Sequence, residues 1–234
     1  MTTRLIAIGG VAAGMSAAAK AKRTDRDLEV VVYERSGYVS YAACGMPYMI
    51  AGDIAEPEAL IQRTPAQMAR QGVEVHVRHE VNAVDAGGRT VTVHNLETGR
   101  VFDQSYDKLV IATGARPAQP DVPGAHLPGI LGLRTLESGL AVQRFLAEHQ
   151  PRHAIVLGGG YVGVEMAETL RRLGLEVTMI IRSGQVLRSS LDDDLREKVH
   201  AELARHQVAI LEGTPLAFEG DGRVQAVDTT AGSL

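Results

Sequence analysis

Ala154-Ile155-Val156-Leu157-Gly158-Gly159-Gly160-Tyr161-Val162-Gly163 is the stretch that decides the fold. Its first four residues form an apolar run with the length and bounds of a buried strand. Three glycines then follow at G-x-G-x-x-G spacing, at Gly158, Gly160 and Gly163. The pattern beyond them predicts a helix over Val164 to Leu173 and a strand over Val177 to Ile181. A strand feeding a glycine turn and a helix offers free backbone N–H groups to a pyrophosphate. In this context the spacing reads as a dinucleotide-binding βαβ unit, with Gly158, Gly160, Tyr161, Val162 and Gly163 as the candidate contacts.

The same architecture opens the chain. Leu5 to Ile8 reads as a strand, Ala13 to Arg23 as an Ala-rich helix and Leu28 to Tyr33 as a second strand, with Gly9-Gly10-Val11-Ala12-Ala13-Gly14 between the first two. Gly9 and Gly14 keep their places, but Val11 stands where the middle glycine would be. Glu34 supports the match: it ends the second strand, 20 residues after Gly14, where a carboxylate can accept hydrogen bonds from an adenosine ribose. The alternative for either turn is a small-residue contact needed only for helix–strand packing. Its recurrence in one chain argues for two nucleotide sites, and hence for an electron path from nicotinamide to flavin. In the second unit the position matching Glu34 falls in Ile181-Arg182-Ser183, which holds no carboxylate. An Arg and a hydroxyl there suit a 2′-phosphate, so NADPH is expected over NADH; the alternative is that Arg182 is a solvated strand end.

Between and beyond these units, short strands are expected at Val73 to Val77 and Leu109 to Ile111, with an antiparallel insert near residues 81 to 103. The Pro- and Gly-rich stretch Arg116 to Gly132 reads as a linker. A helix over Leu136 to His149 precedes the second unit. Helix Asp192 to His206 and strands near Val208 to Leu211 and Val224 to Val227 follow it. The expected fold is α/β, with two Rossmann-like dinucleotide-binding domains at 1–115 and 116–234. A formal net charge of −4 gives no reason to expect nucleic acid or an anionic membrane as partner. No apolar run nears the roughly 20 residues of a membrane span, and the glycines after Ile8 break any signal-peptide pattern. With one cysteine there is no intrachain disulfide, which fits a reducing cytoplasm. The eight His do not fall at metal-ligand spacing with that Cys, and no Ser lies in a G-x-S-x-G elbow.

The single cysteine lies in Ser40-Tyr41-Ala42-Ala43-Cys44-Gly45-Met46-Pro47-Tyr48. Pro47 fits the first turn of a helix, whose positive end would favour a thiolate at Cys44. The alternative is a buried, inert cysteine. The segment resembles the Ser-x-x-x-Cys-Gly-x-Pro-Tyr motif of coenzyme A disulfide reductases, the single-cysteine branch of the pyridine nucleotide-disulfide oxidoreductases. The resemblance runs from the first glycine turn through Ala112-Thr113-Gly114 to Arg182-Ser183. It implies FAD in the first site, NAD(P)H in the second, and a mixed disulfide between Cys44 and coenzyme A. It also implies that Ser16, Lys20, Arg23 and Ser40 line a coenzyme A site, where Lys20 and Arg23, three apart on one helix, can bind phosphates. The alternative there, apt for Lys22 and Arg26, is a basic helix end opposing its macrodipole. Tyr161 and Glu165 match a residue shielding the flavin from nicotinamide and an acid beside it. Arg134 and the Ala112-Thr113-Gly114 turn match further flavin neighbours. Arg35 and Val81 complete the candidate set for the first nucleotide.

The chain departs from the family pattern in three ways. Ala43 replaces an Asn often found before the cysteine. Ala12 stands where related NADH oxidases and peroxidases carry His, which argues against oxygen or peroxide as main substrate. Members are roughly twice as long, so the resemblance implies that a C-terminal dimerisation domain and part of the flavin site are absent, and that the full-length form is a homodimer. The segment Asp221 to Leu234 reads as half a hairpin. The leading reading is an FAD-dependent NADPH reductase of coenzyme A disulfide or persulfide. An NADH oxidase cycling Cys44 through sulfenic acid and a nucleotide-binding fragment without turnover are the alternatives.

Overall fold

The computed structural model describes residues 2–234, which divide into two compact units. The first comprises 2–43 and 56–116, and the second comprises 44–55 and 117–234.

In the first unit, β1 (Arg4–Ile8), β2 (Glu29–Tyr33), β3 (Val73–His76) and β7 (Lys108–Ile111) form a parallel sheet in the order β3-β2-β1-β7. Alternation along the strands sends successive side chains to opposite faces. Leu5, Ala7, Val30 and Val32 pack with Met15 and Ala18 of α1 (Ala12–Thr24). Ile6, Ile8, Val31 and Tyr33 pack instead against Val91 and Val93. Those two valines lie on the middle strand of an antiparallel sheet: β4 (His79–Asp85), β5 (Thr90–Asn95) and β6 (Val101–Ser105). The unit is therefore a three-layer sandwich of helix, parallel sheet and antiparallel sheet. A short helix, α3 (Pro65–Ala69), capped by a reciprocal Thr64–Gln67 box, leads into β3.

The second unit repeats the scheme. β8 (His153–Leu157), β9 (Glu176–Ile181) and β10 (Val208–Glu212) form a parallel sheet in the order β10-β9-β8, with α5 (Tyr161–Arg172) against β8 and β9, and α6 (Asp193–Arg205) against β10. The antiparallel sheet of β11 (Pro215–Glu219), β12 (Ala226–Thr229) and β13 (Gly232–Ser233) covers another face through Phe218 and Val227, which cluster with Ile180. The supposed half-hairpin at Asp221 to Leu234 is thus the centre and edge of a three-stranded sheet whose first strand, β11, the sequence pattern hid. The stretch read as a linker is irregular but packed. Val122, Leu127 and Ile130 lie on the same cluster, and the carbonyls of Pro123 and Pro128 accept from the N–H groups of Phe218 and Val224 at 2.8 and 2.9 Å. Helix α4 (Leu136–His149) starts at a Thr135–Ser138 capping box.

Two glycines fix how α1 and α5 meet their strands. A Cβ on Gly14 would lie 1.9 Å from the Gly9 carbonyl oxygen, and one on Gly163 would lie 2.3 Å from that of Gly158. Only a bare Cα lets the helix approach so closely. Gly14→Val is expected to destabilise the first unit by about 1–3 kcal/mol through overpacking against backbone. A lowered denaturant midpoint at unchanged slope would show it.

Candidate functional site

Each glycine turn ends at a helix whose N-terminus is left open. At α1 the N-cap is Val11, and at α5 it is Gly160; neither makes a side-chain capping bond, and neither first turn contains an acid. Helices α3 and α4 are closed by capping boxes, and α6, although uncapped, carries Asp193 and Asp194 in its first turn. The first N–H groups of α1 and α5 therefore keep both their donors and their positive end for an outside anion. A Cβ on Gly158 or Gly160 would meet nothing within 4 Å, so the space in front of the second turn is free. Apolar side chains also stand uncovered where the strands end: Ile111 is 65% exposed at the end of β7, Leu157 39% at the end of β8, and Tyr161 and Val162 are exposed on α5. Carboxyl ends of parallel strands are where this architecture takes ligands.

The first turn gathers most of its predicted residues. Ala112 N–H donates to Ile8 at 2.8 Å, and a Cβ on Gly9 would lie 2.3 Å from the Ala112 carbonyl, so the Ala112-Thr113-Gly114 turn lies against Gly9. Ala12 and Ala13 are exposed at the head of α1. Glu34 is buried, and its two carboxylate oxygens accept from Gly10 N–H at 2.7 Å and Ser36 N–H at 2.8 Å. The carboxylate thus braces the glycine turn and leaves only its remaining lone pairs for a ribose. Other candidates are less central. Arg35 is exposed and 3.8 Å from Glu80, and Val81 packs on the Tyr33 cluster. Arg134 belongs to the second unit, exposed just before α4.

Ser16, Lys20 and Arg23 are all exposed on α1, at spacings that share a face. Arg23 lines a cavity of about 500 Å³ with Lys22, Arg26 and Gln71. Lys22 lies in the last turn of α1, and its Nζ donates to the carbonyls of Arg26 and Leu28, beyond the helix end, at 2.8 and 2.7 Å.

Cys44 is exposed, in a 3-10 turn over Ala43–Gly45 that leads directly into α2 (Met46–Ala51), so the buried alternative does not hold. Pro47 occupies the first turn of α2, as expected. This helix packs within the second unit. Met46 and Met49 touch the space beside Gly139 of α4, Gln143 donates to the Met49 carbonyl at 3.2 Å, and Thr169 of α5 donates to the Pro47 carbonyl at 3.3 Å. Arg172 closes the arrangement with two 2.7 Å bonds to Asp53. Neither partner was foreseen, because two charges 119 residues apart carry no local signature. On the other side of Cys44, Ser40 belongs to the first unit. Its N–H donates to the Gly10 carbonyl at 2.8 Å, and its φ of +49° is one that Ser seldom adopts.

In the second unit Arg182 is exposed and Ser183 half-buried, in a turn closed by Gly184 N–H to the Ile181 carbonyl at 2.9 Å. Glu165 lies on α5, one turn beyond Tyr161. Among the described residues no cluster could hold a metal ion, and no helix is long and apolar enough to cross a membrane.

Fold and turns together define an α/β protein with two dinucleotide-type units. A family model for pyridine nucleotide-disulphide oxidoreductases matches residues 3–234, and the chain belongs to that family. It is 35% identical to the NAD(P)H coenzyme A polysulfide/persulfide reductase of Pyrococcus horikoshii, over 99% of this chain and 51% of that protein. Among solved structures, reduced CoADR-RHD of Bacillus anthracis superposes with a TM-score of 0.94 at 33% identity, covering 100% of this chain and 42% of the other. A water-forming NADPH oxidase engineered from a Lactobacillus brevis NADH oxidase, bound to NADPH, gives 0.93 at 28% identity, covering 99% and 51%. The chain spans about half the length of the curated relatives it matches.

Arg172 holds the Asp53 carboxyl below its ordinary 3.8, chiefly through their hydrogen bond. A depressed carboxyl pKa contributes stability above the unfolded value and loses it as pH falls through the folded one, so this tie should persist until below pH 3.8. Asp53→Asn is expected to speed hydrogen exchange at the backbone amides of Gly52 and of the substituted residue on the order of two- to fivefold, the scale of an exposed pair. Wild-type protection should fall to the variant's level only in acid.

Proposed function

We propose that this chain carries the nucleotide-binding and thiol parts of an FAD-dependent NADPH oxidoreductase that reduces coenzyme A disulfide or persulfide at Cys44. One observation carries the reading. The exposed thiol lies four residues after Ser40, whose N–H is bonded to Gly10 of the first glycine turn. Four residues span at most about 14 Å of extended chain, so covalent reach alone keeps Cys44 near whatever occupies that turn. The relatives named for coenzyme A persulfide and disulfide chemistry agree with it.

The residues fit their groups. Gly9, Gly14 and the open N-terminus of α1 would hold the FAD pyrophosphate, with Glu34 bracing the turn and sharing its free lone pairs with the ribose. Gly158, Gly160 and α5 would hold the pyrophosphate of NADPH, and Arg182 and Ser183 its 2′-phosphate. The engineered NADPH-bound oxidase carries an introduced Arg directly followed by an introduced Ser, and a second introduced Arg five positions after that Ser. Arg182, Ser183 and Arg188 have the same spacing here. Bound FAD supplies the two-electron relay between nicotinamide and sulfur.

Cys44 does the sulfur chemistry. Its thiolate attacks one sulfur of the disulfide, the S–S bond breaks, and one coenzyme A thiolate leaves, giving a Cys44–coenzyme A mixed disulfide. Two electrons and a proton, equivalent to the hydride of NADPH, then release the second coenzyme A as thiol and restore the Cys44 thiolate. Lys20 and Arg23, exposed on one face of α1, offer phosphate contacts to the substrate. Ala12 places no imidazole at the first turn, which favours disulfide over oxygen as acceptor.

Incubation with coenzyme A disulfide followed by intact-mass measurement tests the reading. One coenzyme A adduct per chain is expected, lost on reduction and absent in Cys44→Ser. A wild-type chain without an adduct, or an adduct that persists in the variant, would contradict it.

A further inference from the structure

Resting on the dinucleotide reading of the second glycine turn, we infer that His200 is a positioning residue for that turn, and that its hold is lost when the imidazole takes up a proton. The chain leaving β9 comes back to the glycine turn and is fastened there. Leu187 N–H donates to the Gly159 carbonyl at 2.7 Å. A Cβ on Gly159 would lie 3.1 Å from the Val186 Cα, so the turn rests against that residue. Val186 is fully buried, and its N–H donates to Nε2 of His200, on α6, at 3.3 Å.

That bond fixes the state of the ring. A backbone N–H only donates, so the nitrogen facing it must offer a lone pair, and the neutral ring carries its proton on Nδ1. Protonation sets a second N–H against the first and leaves a buried backbone donor without its acceptor, a costly arrangement. The next residue is already constrained: Leu187 holds a φ of +50°, which a bulky side chain adopts only when its surroundings impose it. Losing the acceptor beside it favours relaxation of Leu187, and its bond to Gly159 is lost with it.

The groups around His200 permit the change. Gln185 of the chain after β9 and Asp193, Arg196 and Glu197 of α6 line a cavity of about 360 Å³ with it. Asp193 is taken by Arg196, whose guanidinium also donates to the carbonyls of Arg188 and Leu191 at 3.4 and 3.2 Å. That guanidinium keeps its charge at every pH in question, so its ties do not titrate. Glu197, three residues before His200 on the same helix, offers a protonated ring an acceptor, and the cavity gives it room. Farther out, Glu212 of β10 lies beside Gly184, and Arg182 and Arg188 are exposed. Only the neutral ring makes the tie, so acid opens it.

Two measurements, each at about pH 7.5 and about pH 5.5, test this in the wild-type chain, His200→Gln and His200→Phe. One is hydrogen exchange at the Val186 and Leu187 amides, corrected for intrinsic rates; the other is calorimetric titration with NADP⁺. On going to the lower pH, wild-type protection should fall about tenfold, the scale of one hydrogen bond. The wild-type dissociation constant should rise about tenfold more than that of either variant. The comparison with variants is needed because a phosphate monoester such as the 2′-phosphate titrates near about pH 6 itself. Gln offers an oxygen that accepts at both pH values and should keep the affinity; Phe offers none and should bind weakly at both. Protection that changes equally in all three proteins overturns the tie. Protection that falls in the wild type alone, with the same affinity ratio in all three, overturns the positioning role. A wild-type chain that binds no NADP⁺ at the higher pH overturns the dinucleotide reading instead, while exchange still decides the tie.

Discussion

Close contact between a helix start and the carbonyl that precedes it is the constraint on which this molecule depends. At Gly14 against Gly9, and again at Gly163 against Gly158, the distances leave no room for a side chain. Removing the Cβ does two things at once. It lets α1 and α5 pack on their strands, and it seats their uncapped first turns at the carboxyl ends of the sheets. Packing and anion binding therefore share a single geometric cause. The missing caps on these two helices follow the same logic, because a capping side chain would occupy the donors that a pyrophosphate needs.

A second consequence concerns the thiol. Its helix, α2, is tied by Thr169 and Arg172 to α5, which begins at the second glycine turn, while Ser40 upstream is tied to the first. The bonds from Thr169 and Arg172 hold α2 within the second unit and leave Cys44 exposed just before it.

Much of this was legible in the chain. The glycine spacings, the apolar runs before them and the absence of a carboxylate at Ile181-Arg182-Ser183 are local signals, and helix Leu136–His149 has the bounds its pattern predicts. Pro47 in the first turn of α2 was readable for the same reason, whereas the exposure of Cys44 came only with the structure. Other features depend on partners distant in sequence. No pattern reveals that Arg172 meets Asp53, or that the Pro-rich stretch 116–132 also packs on the Phe218 cluster. β11 was missed because it opens on Pro215 and buries only Phe218 fully, so its alternation is weak. The two backbone donors of Glu34 were also hidden, since a carboxylate at a strand end looks the same whether it braces a turn or faces a sugar.

The proposed electron transfer from nicotinamide to sulfur requires that the two glycine turns each bind a different dinucleotide. Equilibrium dialysis of the purified chain with FAD and NADPH together measures this directly. One molecule of each per chain at saturation, with neither displacing the other, is the predicted result. Competition between them for a single site, or one dinucleotide in total per chain, would contradict it.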